Sequence, residues 1–581
     1  MQPCAIFEFP LSSGQRHPLA FHAPRETLIA ETLDEVRQVI RDAETHARNG
    51  AWVLGFVSYE AARAFDSRFA VQGNSEFPLA WFGIFDSAIP YEFDAVDGPV
   101  FSSWNPNVGR ETYESDIAAI RQAIFDGDVY QVNHTLRLHS SYSGNGISLF
   151  HSLRNAQPNS YAAYLNIGQW KILSVSPELF FRREGNAITT RPMKGTIGRG
   201  RYPEEDQAMA ERLQTSEKDR AENLMIVDLL RNDLSRIALP NTVKVHELFS
   251  VETYPTVHQM TSMIAAETKP GTALDDIFAA LFPCGSITGA PKMKAMEIIA
   301  EREKVPREIY CGAIGLLKPG GNAVFNVAIR TVLLQDSDRT ATCGVGSGIV
   351  WDSTGDGEFS ETILKSGFLN RQEESFSLIE TLRLEEGSFV RLGYHVARLA
   401  ASARYFNRQF DASQCIAKLQ DFAAICGKSA YRIRMTLDSA GNLNIEASDL
   451  PKEAPPHPQF ALSGFPVSRD SIRLFHKTTN RGLYEKATAS FPDAFDVLLW
   501  NEQGEITEFT KGNIVLSIDG RLLTPSIDCG LLDGCLRREL IEKGEITEAN
   551  LTLTDLDRAE QIWFINSLRG RIEVFRQSTR V

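Results

Sequence analysis

At the end of a predicted strand the chain reads Arg191-Pro192-Met193-Lys194-Gly195-Thr196. Long lysine side chains normally lie on polar faces in water, so a lysine between a proline and a Gly-Thr pair is unusual. The Gly-Thr pair also offers backbone N–H groups and a hydroxyl to an anionic ligand. The motif alone leaves both a surface lysine and a site lysine open, and the surrounding sequence must decide between them.

A predicted hairpin leads into this stretch, with Gly185-Asn186 as its turn. If the turn has two residues, Glu178 lies opposite Met193, and strict pairing puts Glu178 and Lys194 on opposite faces. A bulge near Pro192, which cannot donate to a strand ladder, would bring the two side chains together. We therefore expect an acid and an amine to be near neighbours across the hairpin.

Composition limits the classes of function. A chain of 581 residues is too long for one core, so two or three domains are expected. The net charge of -14 argues against a nucleic-acid binder but not against a small anionic substrate. The eight cysteines form no CxxC pair, which predicts neither a zinc site nor a disulfide framework. Without a secretory leader pattern or a membrane-length apolar run, the sequence predicts a cytoplasmic protein.

Two helices are predicted before the lysine motif. The first spans about Thr32 to Ala47 and starts with a capping box. The second runs from Arg110 to about Phe125 and leads into a strand on which Gln131, Asn133 and Thr135 share one face. This polar face fits either a solvent-facing edge strand or a binding site.

Two later helical segments carry paired acids. A long helical region from Pro203 to about Ile237 presents Glu222 and a second acid three residues before it on one face. Another helix start presents Glu358 and Glu361 on one face, with Lys365 one turn further. Each pair alone fits a solvated helix surface. Together they are a reasonable site for Mg²⁺, which takes few protein carboxylates and completes its shell with other oxygens.

Between these segments lie two stretches rich in small residues, Phe282 to Lys292 and Gly344 to Val350. This density of small residues lets backbone N–H groups approach an anion closely. Neither stretch is a Walker loop or a dinucleotide-binding fingerprint, so each alone is weak support for a site.

Taken in order, the motifs over about residues 100–370 resemble the chorismate-utilising enzymes, a family that includes anthranilate synthases, aminodeoxychorismate synthases and isochorismate synthases. The matching motifs are Asp-Val-Tyr-Gln-Val-Asn, Ser-Pro-Glu-Leu, Pro-Met-Lys-Gly-Thr, Ala-Glu-Asn-Leu-Met-Ile-Val-Asp-Leu-Leu-Arg-Asn-Asp, Gly-Ser-Ile-Thr-Gly-Ala-Pro-Lys, Ala-Ile-Arg-Thr, Gly-Ser-Gly-Ile-Val and Glu-Phe-Ser-Glu-Thr. The resemblance implies an N-terminal fold of antiparallel sheets packed with helices, and chorismate as the substrate.

The resemblance also implies roles for individual residues. Glu178 would be the general acid that helps the ring 4-hydroxyl to leave. Glu222 and Glu361 would bind Mg²⁺, with Glu358 nearby. The implied substrate-binding residues are Gln131, Thr196, Gly285, Ser286, Tyr310, Arg330, Gly346, Gly348 and Lys365.

Lys194 discriminates among the members of the family. Anthranilate synthases carry alanine at this position, whereas aminodeoxychorismate synthases carry a lysine. The implied mechanism is attack of Lys194 at ring C2 with loss of the 4-hydroxyl, followed by addition of ammonia at C4 and release of the lysine. That role needs a neutral amine, so we expect the pKa of Lys194 to be lowered. Gln131 stands where isochorismate synthases have a lysine base, which argues against an enzyme that adds water.

Two residues depart from the family pattern without a conflict of volume, namely Met193 in place of isoleucine and His134 in place of an apolar residue. The chain also lacks the Gly-x-Cys-x-Gly segment and following His-x-Glu that mark a glutamine amidotransferase. We therefore expect ammonia to come from a separate glutamine amidotransferase subunit or from solution.

After residue 370 the pattern changes. Ser375 to Arg383 predicts a strand, Tyr394 to Phe406 a helix, and Pro451 to Pro458 a connection that cannot be helical. Further on, Lys477 follows an apolar segment that we interpret as a strand, and Glu508 lies on another predicted strand. Each of these two charged residues, taken alone, fits a surface position.

The later motifs are Ile-Glu-Thr-Leu-Arg, His-Val-Ala-Arg-Leu-Ala-Ala-Ser, His-Lys-Thr-Thr-Asn-Arg, Thr-Glu-Phe-Thr-Lys-Gly-Asn and Gly-Leu-Leu-Asp-Gly-Cys-Leu-Arg. Together they resemble the motifs of the fold-type IV pyridoxal-phosphate enzymes over about residues 375–581. The resemblance implies that Lys477 forms the Schiff base with pyridoxal 5'-phosphate, that Glu508 pairs with the pyridinium nitrogen and that Arg398 holds the phosphate. Asn566 and Ser567 would complete the phosphate cup. A homodimer through this domain is also implied, although the N-terminal hairpin and Gly-Asp-Gly turn usual in the family are missing here.

The two resemblances predict an α+β, two-domain chain. Its parts are an N-terminal subdomain (residues 1–105), a chorismate-binding catalytic domain (106–370) and a class IV aminotransferase-like α/β domain (375–581). They imply one route to a folate precursor, in which chorismate and ammonia give 4-amino-4-deoxychorismate, and elimination of pyruvate then gives 4-aminobenzoate. Three alternatives stay open: an anthranilate synthase component, a C-terminal aminotransferase for another amino acid, or a silent C-terminal scaffold that docks the glutaminase.

Overall fold

The computed structural model describes residues 2–10, 17–73, 75–93, 101–369 and 376–577. The chain divides into two compact units, one of residues 1–198 and 210–373 and one of residues 199–209 and 374–581. Residues 199–209 thus belong to the second unit although they lie inside the predicted 106–370 domain. The predicted strand start at Ser375 lies outside the described residues.

The first unit contains both strands and helices. Its strands are β1 (Ala5–Glu8), β2 (Leu19–Phe21), β3 (Glu26–Ala30), β4 (Trp52–Val57), β5 (Ala80–Phe85), β6 (Ile89–Pro90), β7 (Asn105–Pro106), β8 (Gln131–Ser141), β9 (Tyr161–Asn166), β10 (Trp170–Ser176), β11 (Leu179–Glu184), β12 (Ala187–Arg191), β13 (Met193–Gly198), β14 (Lys244–Thr253), β15 (Val257–Glu267), β16 (Gly289–Ala290), β17 (Ala313–Leu317), β18 (Ala323–Val327), β19 (Thr331–Gln335) and β20 (Thr340–Ile349). Its helices are α1 (Leu33–Arg48), α2 (Ala62–Phe65), α3 (Arg110–Phe125), α4 (Gly146–Ala156), α5 (Pro203–Thr215, whose first residues belong to the second unit), α6 (Glu217–Ser235), α7 (Leu274–Leu281), α8 (Lys292–Arg302) and α9 (Gly355–Lys365).

Two antiparallel sheets organise the first unit. In the described residues each sheet has ten strands, one in the order β16-β8-β20-β19-β10-β9-β1-β2-β6 with β7 beside β8, and one in the order β13-β15-β12-β11-β18-β17-β4-β5-β3 with β14 beside β15. Buried apolar side chains such as Phe7, Phe56 and Ile314 fill the layer between the sheets. Helices α3, α4 and α8 cover the other face of the first sheet, and α1, α6 and α7 cover the other face of the second. The predicted fold of antiparallel sheets packed with helices is confirmed.

The helix predictions are mostly confirmed. Thr32 caps α1 and forms the capping box with Glu35, and α3 has the predicted bounds. The helical region predicted from Pro203 to about Ile237 is confirmed in extent, but the chain divides it into two helices at Ser216. The Ser216 side chain accepts a hydrogen bond from the Asp219 N–H and so begins α6 as a new helix.

The strand that carries Gln131 is an interior strand. β8 lies between β16 and β20, and Gln131, Asn133 and Thr135 are all buried. A solvent-facing edge strand is therefore excluded, and the polar face of β8 is directed into the protein. The two-residue turn at Gly185-Asn186 is confirmed, since Glu184 pairs with Ala187.

The irregularity predicted near Pro192 is present, as two register shifts and not as one bulge. The register between β11 and β12 shifts between Leu179 and Arg182, and a second shift lies between Met193 and Thr196 in the pairing of β13 with β15. The sequence placed one bulge near Pro192, because proline cannot donate to a ladder. Instead the irregularities lie on either side of that proline.

The second unit has strands β21 (Leu378–Glu385), β22 (Ser388–Phe389), β23 (Tyr431–Leu437), β24 (Leu443–Asp449), β25 (Gln459–Leu462), β26 (Asp496–Trp500), β27 (Ile506–Phe509), β28 (Asn513–Ile518), β29 (Arg521–Pro525), β30 (Thr547–Ala549), β31 (Gln561–Asn566), β32 (Gly570–Glu573) and β33 (Phe575–Arg576). Its helices are α10 (Leu392–Tyr405), α11 (Ala412–Cys426), α12 (Gly482–Ala489), α13 (Cys535–Glu542) and α14 (Leu553–Arg558). Within the described residues the strands form sheets of four, four and five members. The pairs β25–β26, β25–β33 and β29–β30 are parallel, as expected of a mixed α/β domain.

Two predictions for this unit have different outcomes. Glu508 lies on a strand, β27, as predicted. The segment before Lys477 is not a strand, because residues Ile472–Leu474 form a 3₁₀ turn. In the described part of the chain, no helix has both the length and the apolar character needed to cross a membrane.

Candidate active sites

The strand that carries Lys194 is irregular at that residue. Its register against β15 shifts between Met193 and Thr196, and Gly195 has a φ of +92°. A Cβ on Gly195 would lie 3.0 Å from the Cβ of Asp219 on α6, so both the backbone conformation and the nearby helix require glycine. Because a bulge re-aims the side chains inside it, this irregularity gives Lys194 a direction that regular pairing would not.

Glu178 lies immediately before β11 and is only 3% exposed. Ser286 donates a hydrogen bond from Oγ to Oε1 of Glu178 over 2.6 Å. Burial raises the pKa of Glu178 to about 7, although Ser286, Lys194 and the Met193 N–H act against that rise. The carboxyl group therefore holds a proton over much of the neutral pH range, as a general acid must.

The Lys194 amine shares a confined space with Gln131 and Gly348. A Cβ on Gly348 would lie 2.4 Å from Nζ of Lys194 and 2.9 Å from Nε2 of Gln131. The absence of a side chain at this position of β20 therefore makes room for both polar groups. Three residues predicted from distant motifs, on β8, β13 and β20, thus meet at one place.

The charged groups around Lys194 come from three parts of the first unit, namely α6, α9 and the residue before β11. Burial is the largest effect and lowers the pKa of the Lys194 amine. Glu222, Glu361 and Glu178 act in the opposite direction, and Lys365 adds to the lowering. The net result is the lowered pKa that a nucleophilic amine requires.

Gln131 has an unsatisfied amide in this space. Its side chain is completely buried, and neither Oε1 nor Nε2 has a hydrogen-bond partner among the residues that the structure describes. An orphaned buried amide costs free energy that a bound molecule with a donor and an acceptor would offset. The position beside Lys194 makes Gln131 a strong candidate for contact with a substrate.

The predicted metal ligands lie near Lys194 but not around one point. Lys365 forms a 2.8 Å ion pair with Glu361, and Ser353 donates to Glu358 over 2.6 Å. Among the described residues, Glu222 makes no hydrogen bond or ion pair, and the only group of three acid, histidine or cysteine ligands within 4.8 Å of one another lies in the second unit. The three carboxylates therefore do not form a ready cage.

The donors nevertheless fit a hard cation. Burial raises the pKa of Glu222, and the charges of Asp219 and Glu358 add to this rise while Lys194 and Lys218 oppose it. A carboxylate destabilised by like charges is relieved by a cation, and Mg²⁺ needs only one or two protein carboxylates beside water and substrate oxygens. The site therefore suits an ion held by part of the predicted set.

The other predicted substrate residues have different surroundings. Thr196 donates its hydroxyl to Gln259 over 2.8 Å. Lys365 donates to the carbonyl oxygen of Gly346 over 3.3 Å, so these two predicted residues are in contact. Gly285 lies against α6, because a Cβ there would lie 2.2 Å from the side chain of Leu229.

Arg330 and Tyr310 make their contacts with residues other than Lys194. Arg330 has a φ of +48°, donates to Gln157, and has its pKa lowered by burial. Tyr310 is buried beneath the Arg137 guanidinium, which lies 5.2 Å from its ring centroid. None of these contacts brings either residue to the Lys194 amine.

Two residues that the sequence reading did not single out hold the lysine strand in place. Asn223 donates to the Lys194 carbonyl oxygen over 3.4 Å, and Gln259 donates to that of Gly195 over 2.8 Å. A cavity of about 230 Å³ beside these strands is lined by Pro177 and Met193, the sequence neighbours of the two catalytic candidates.

The second site is built around Lys477, a half-buried amine. Burial lowers the pKa of Lys477 to about 8, and the positive charges of Arg398 and Arg481 add to this effect. Glu380 and Glu508 act in the opposite direction. The structure thus brings three residues predicted for this site, Lys477, Glu508 and Arg398, into one electrostatic neighbourhood.

Glu508, on β27, accepts hydrogen bonds from two donors on other parts of the second unit. The Tyr484 hydroxyl donates to Oε1 over 2.8 Å, and the Leu532 N–H donates to Oε2 over 3.1 Å. Burial nevertheless raises the pKa of Glu508 to about 7. Because burial destabilises the charged form of Glu508, a protonated ring nitrogen beside it would stabilise that form. Glu508 therefore fits its predicted role.

Arg398 is oriented by a buried acid. Its guanidinium donates to both carboxylate oxygens of Glu380, over 2.8 Å and 2.7 Å, and to the Asp533 carbonyl oxygen over 3.1 Å. His395 links Glu380 to the predicted Ser567, with contacts of 2.7 Å and 2.8 Å. These donors lie together as a phosphate cup requires.

The Asn566 side chain already makes hydrogen bonds with nearby backbone groups. Its Oδ1 accepts from the N–H groups of Leu568 and Arg569, and its Nδ2 donates to the Lys511 carbonyl oxygen. The side chain therefore shapes the turn that presents Ser567. Direct contact of the Asn566 amide with a phosphate would require some of these bonds to be exchanged.

Comparison with known proteins identifies the first unit. The sequence model of the chorismate binding enzymes matches residues 89–371. The chain is 43% identical over 278 residues to "Aminodeoxychorismate synthase component 1" of Escherichia coli (strain K12), which covers 48% of this chain and 61% of that protein. It is 33% identical over 330 residues to "Anthranilate synthase component 1" of Saccharolobus solfataricus, which covers 53% of this chain and 77% of that protein. The chain belongs to the chorismate-binding enzyme family.

This family member carries a second domain. The sequence model of amino-transferase class IV matches residues 377–575, and this domain implies pyridoxal phosphate as its cofactor. The crystal structure of anthranilate synthase component I from Streptococcus pneumoniae TIGR4 has a TM-score of 0.52 at 26% identity, covering 64% of this chain and 91% of that one. The chorismate-binding fold is thereby shown. The chain spans about three fifths of the length of the E. coli relative, 61%.

Proposed function

We propose that this chain makes 4-amino-4-deoxychorismate from chorismate and ammonia, and then eliminates pyruvate from that product to give 4-aminobenzoate. The observation that carries the proposal is Lys194, a half-buried amine of lowered pKa beside Glu178 and Gln131. The name of the E. coli relative, "Aminodeoxychorismate synthase component 1", supports the first step. The lysine at this position disfavours the anthranilate alternative.

In the first half-reaction the neutral Lys194 amine attacks ring C2. A bond forms between Nζ and C2 while the ring double bonds shift and the C4–O bond breaks. Glu178, protonated because burial raises its pKa to about 7, gives its proton to the departing hydroxyl, which leaves as water. Gln131, with its free amide donor and acceptor, orients the ring beside the amine.

In the second half-reaction ammonia forms a bond to C4. The double bonds shift back, the Nζ–C2 bond breaks, and Lys194 leaves as a neutral amine. The new ammonium group gives one proton to the Glu178 carboxylate, which restores the starting state. The net change is chorismate and ammonia to aminodeoxychorismate and water, so no other reactant is consumed.

Mg²⁺ would supply a divalent charge for the ring carboxylate, held by Glu222 and by one of the acids of α9. We propose Arg330, Tyr310, Lys365 and the backbone at Gly346 for the remaining substrate contacts. The proposed chemistry consumes ammonia. A separate glutamine amidotransferase would provide it. These assignments rest on the family resemblance and on the donor types present.

At the second site, pyridoxal phosphate supplies an electron sink when bound. Lys477, whose pKa of about 8 leaves part of the amine neutral, takes the proton from C4 of aminodeoxychorismate. The bond between the ring and the enolpyruvyl oxygen breaks, the ring becomes aromatic, and Lys477 returns the proton so that the enol leaves as pyruvate. Glu508 would pair with the ring nitrogen, and Arg398 and Ser567 would hold the phosphate.

Product analysis tests this proposal. Purified protein is incubated with chorismate, ammonium salt and Mg²⁺, with and without pyridoxal phosphate, and the products are separated by chromatography. We expect 4-aminobenzoate and pyruvate in equal amounts with the cofactor, and aminodeoxychorismate without it. Anthranilate as the product would overturn the first step, and accumulation of aminodeoxychorismate in the cofactor-loaded protein would overturn the second.

A further inference from the structure

Arg307 is a buried arginine outside every predicted site, with 2% of its side chain exposed. Its Nη1 donates to the carbonyl oxygen of Ile287 over 2.9 Å, and its Nη2 donates to that of Asn133 over 2.8 Å. Ile287 follows Ser286 on the same 3₁₀ turn, and Asn133 lies on β8 two residues from Gln131. One guanidinium therefore joins the turn and the strand that carry two proposed substrate-site residues.

Glu303 holds this guanidinium in place. It forms a 2.6 Å ion pair with Arg307 and accepts the N–H of Thr135 on β8 over 3.0 Å. Arg137 lies 3.5 Å from Glu303 and stacks over the ring of Tyr310. Although burial acts in the opposite direction, Arg307 and Arg137 hold the pKa of Glu303 at about 2. The acid is therefore charged throughout the working pH range.

Buried ion pairs contribute little net stability, because the loss of hydration offsets the attraction. They do fix geometry where every donor and acceptor is used, as the planar fork of arginine allows. Here the fork connects two backbone carbonyls on different elements. A lysine at this position keeps the charge but cannot reach both carbonyls in the same directions.

We propose that Arg307, oriented by Glu303, is a positioning residue of the Lys194 site: it sets the 3₁₀ turn so that Ser286 donates to Glu178, and sets β8 so that Gln131 faces Lys194. The inference rests on the proposed function of that site. Lys194 on β13 and Cys284 on the turn are the titratable groups that face Glu178. Both titratable groups, Lys194 and Cys284, are still present when Arg307 is replaced.

The pH dependence of the first step tests this role. The Ser286 hydroxyl favours the charged form of Glu178, so its loss raises the pKa of that acid and moves the alkaline limb of kcat/KM for chorismate to higher pH. We expect Arg307→Lys to lower kcat about 10- to 100-fold and to shift this limb upward. Ser286→Ala should give the same direction of shift, and Arg307→Lys in the Ser286→Ala background should add no further shift. The matched control is Arg302→Lys, at an exposed arginine close by in sequence, which should change neither quantity.

The outcomes are distinguishable. A loss of activity with an unmoved pH limb, or additive shifts in the double variant, would show that Arg307 is merely structural. Glu303→Gln is the second variant, because it keeps the shape and should give a smaller shift in the same direction. Circular dichroism and thermal unfolding check folding in every variant, because the absorbance of the cofactor at Lys477 reports on the second unit alone. The identity of the product in the unmutated protein tests the proposed function separately, since the shift is measured on whichever product forms.

Discussion

Lys194 and Lys477, one in each unit, both have a lowered pKa, but the charged residues around them differ. Burial is the largest cause at both. Lys477 faces the cations Arg398 and Arg481, which lower the pKa further, to about 8. Lys194 faces the acids Glu222 and Glu361, which act against the lowering.

The difference indicates what each site is built to bind. Cations around Lys477 keep the amine neutral and also attract an anionic cofactor, so one set of charges serves both purposes. Acids around Lys194 do not help to keep the amine neutral, and the proposed Mg²⁺ would account for their presence. Both sites therefore depend on burial to lower the pKa of the amine, and at Lys477 the neighbouring cations lower it further.

Removal of each amine gives the largest expected effect and separates the sites. We expect Lys194→Ala to lower formation of aminodeoxychorismate by at least about 10³-fold, because the nucleophile is lost. Lys477→Ala should leave this step intact, abolish the absorbance of bound cofactor, and cause aminodeoxychorismate to accumulate. Chromatography of the products from both variants makes the comparison. Equal loss of the first product in both variants would contradict separate roles.

Glu178 is the next residue by expected effect. Its pKa of about 7 is raised above that of an ordinary glutamate, so the protonated acid is present below this pH and is lost above it. We expect kcat/KM for chorismate to fall about tenfold per pH unit above that pKa. Glu178→Gln should lower the rate by about 10²- to 10⁴-fold and remove this limb. A limb that persists in Glu178→Gln would assign it to another group.

Gly348→Ala tests the shared space beside Lys194. The added methyl would lie 2.4 Å from the Lys194 amine, so we expect an activity loss of about 10- to 100-fold from misplacement of the nucleophile. Gly109→Ala is the matched control, since a Cβ there meets nothing within 4 Å. Steady-state rates of both variants with chorismate provide the measurement. Unchanged activity in Gly348→Ala would show that the amine does not use this space.

Tyr484→Phe gives the smallest expected effect and concerns the second site alone. The Tyr484 hydroxyl favours the charged form of Glu508, so its removal raises the pKa of Glu508 above about 7. We expect a loss of about 3- to 10-fold in the second step and no change in the first. The pH dependence of the cofactor absorbance should shift upward in the same variant. Tyr394→Phe, which removes a hydroxyl bonded to Glu542 near the surface, is the control.

Local rules predicted much of the first unit from the sequence. The cap at Thr32, the bounds of α3 and the turn at Gly185-Asn186 depend on short-range chemistry, and the structure confirms them. The bulges around Pro192 depend on the pairing of three strands, so the sequence could indicate their need but not their position. The break at Ser216 was overlooked because the residues on both sides of it favour helix.

The sequence predicted which residues belong to the candidate sites, but not which of them contact one another. Gln131 and Gly348 lie in motifs more than 200 residues apart in the chain, and only the pairing of β8 with β20 brings them together. Arg307 was not predicted, because its contacts are to backbone carbonyls that no side-chain pattern reveals. The interpretation of a strand before Lys477 failed because the apolar residues Ile472, Leu474 and Phe475 fit a 3₁₀ turn as well as a strand.

The most direct test of the account is whether Lys194 itself bonds to the substrate. Protein is mixed with chorismate and Mg²⁺ in the absence of ammonia, quenched, and examined by intact-mass and peptide mass spectrometry. The account predicts an added mass equal to chorismate less one water, located on Lys194, absent from Lys194→Ala and lost when ammonium is added before the quench. A protein that converts chorismate with ammonium at full rate but never shows this adduct, or that carries it on another residue, would contradict the central role of Lys194.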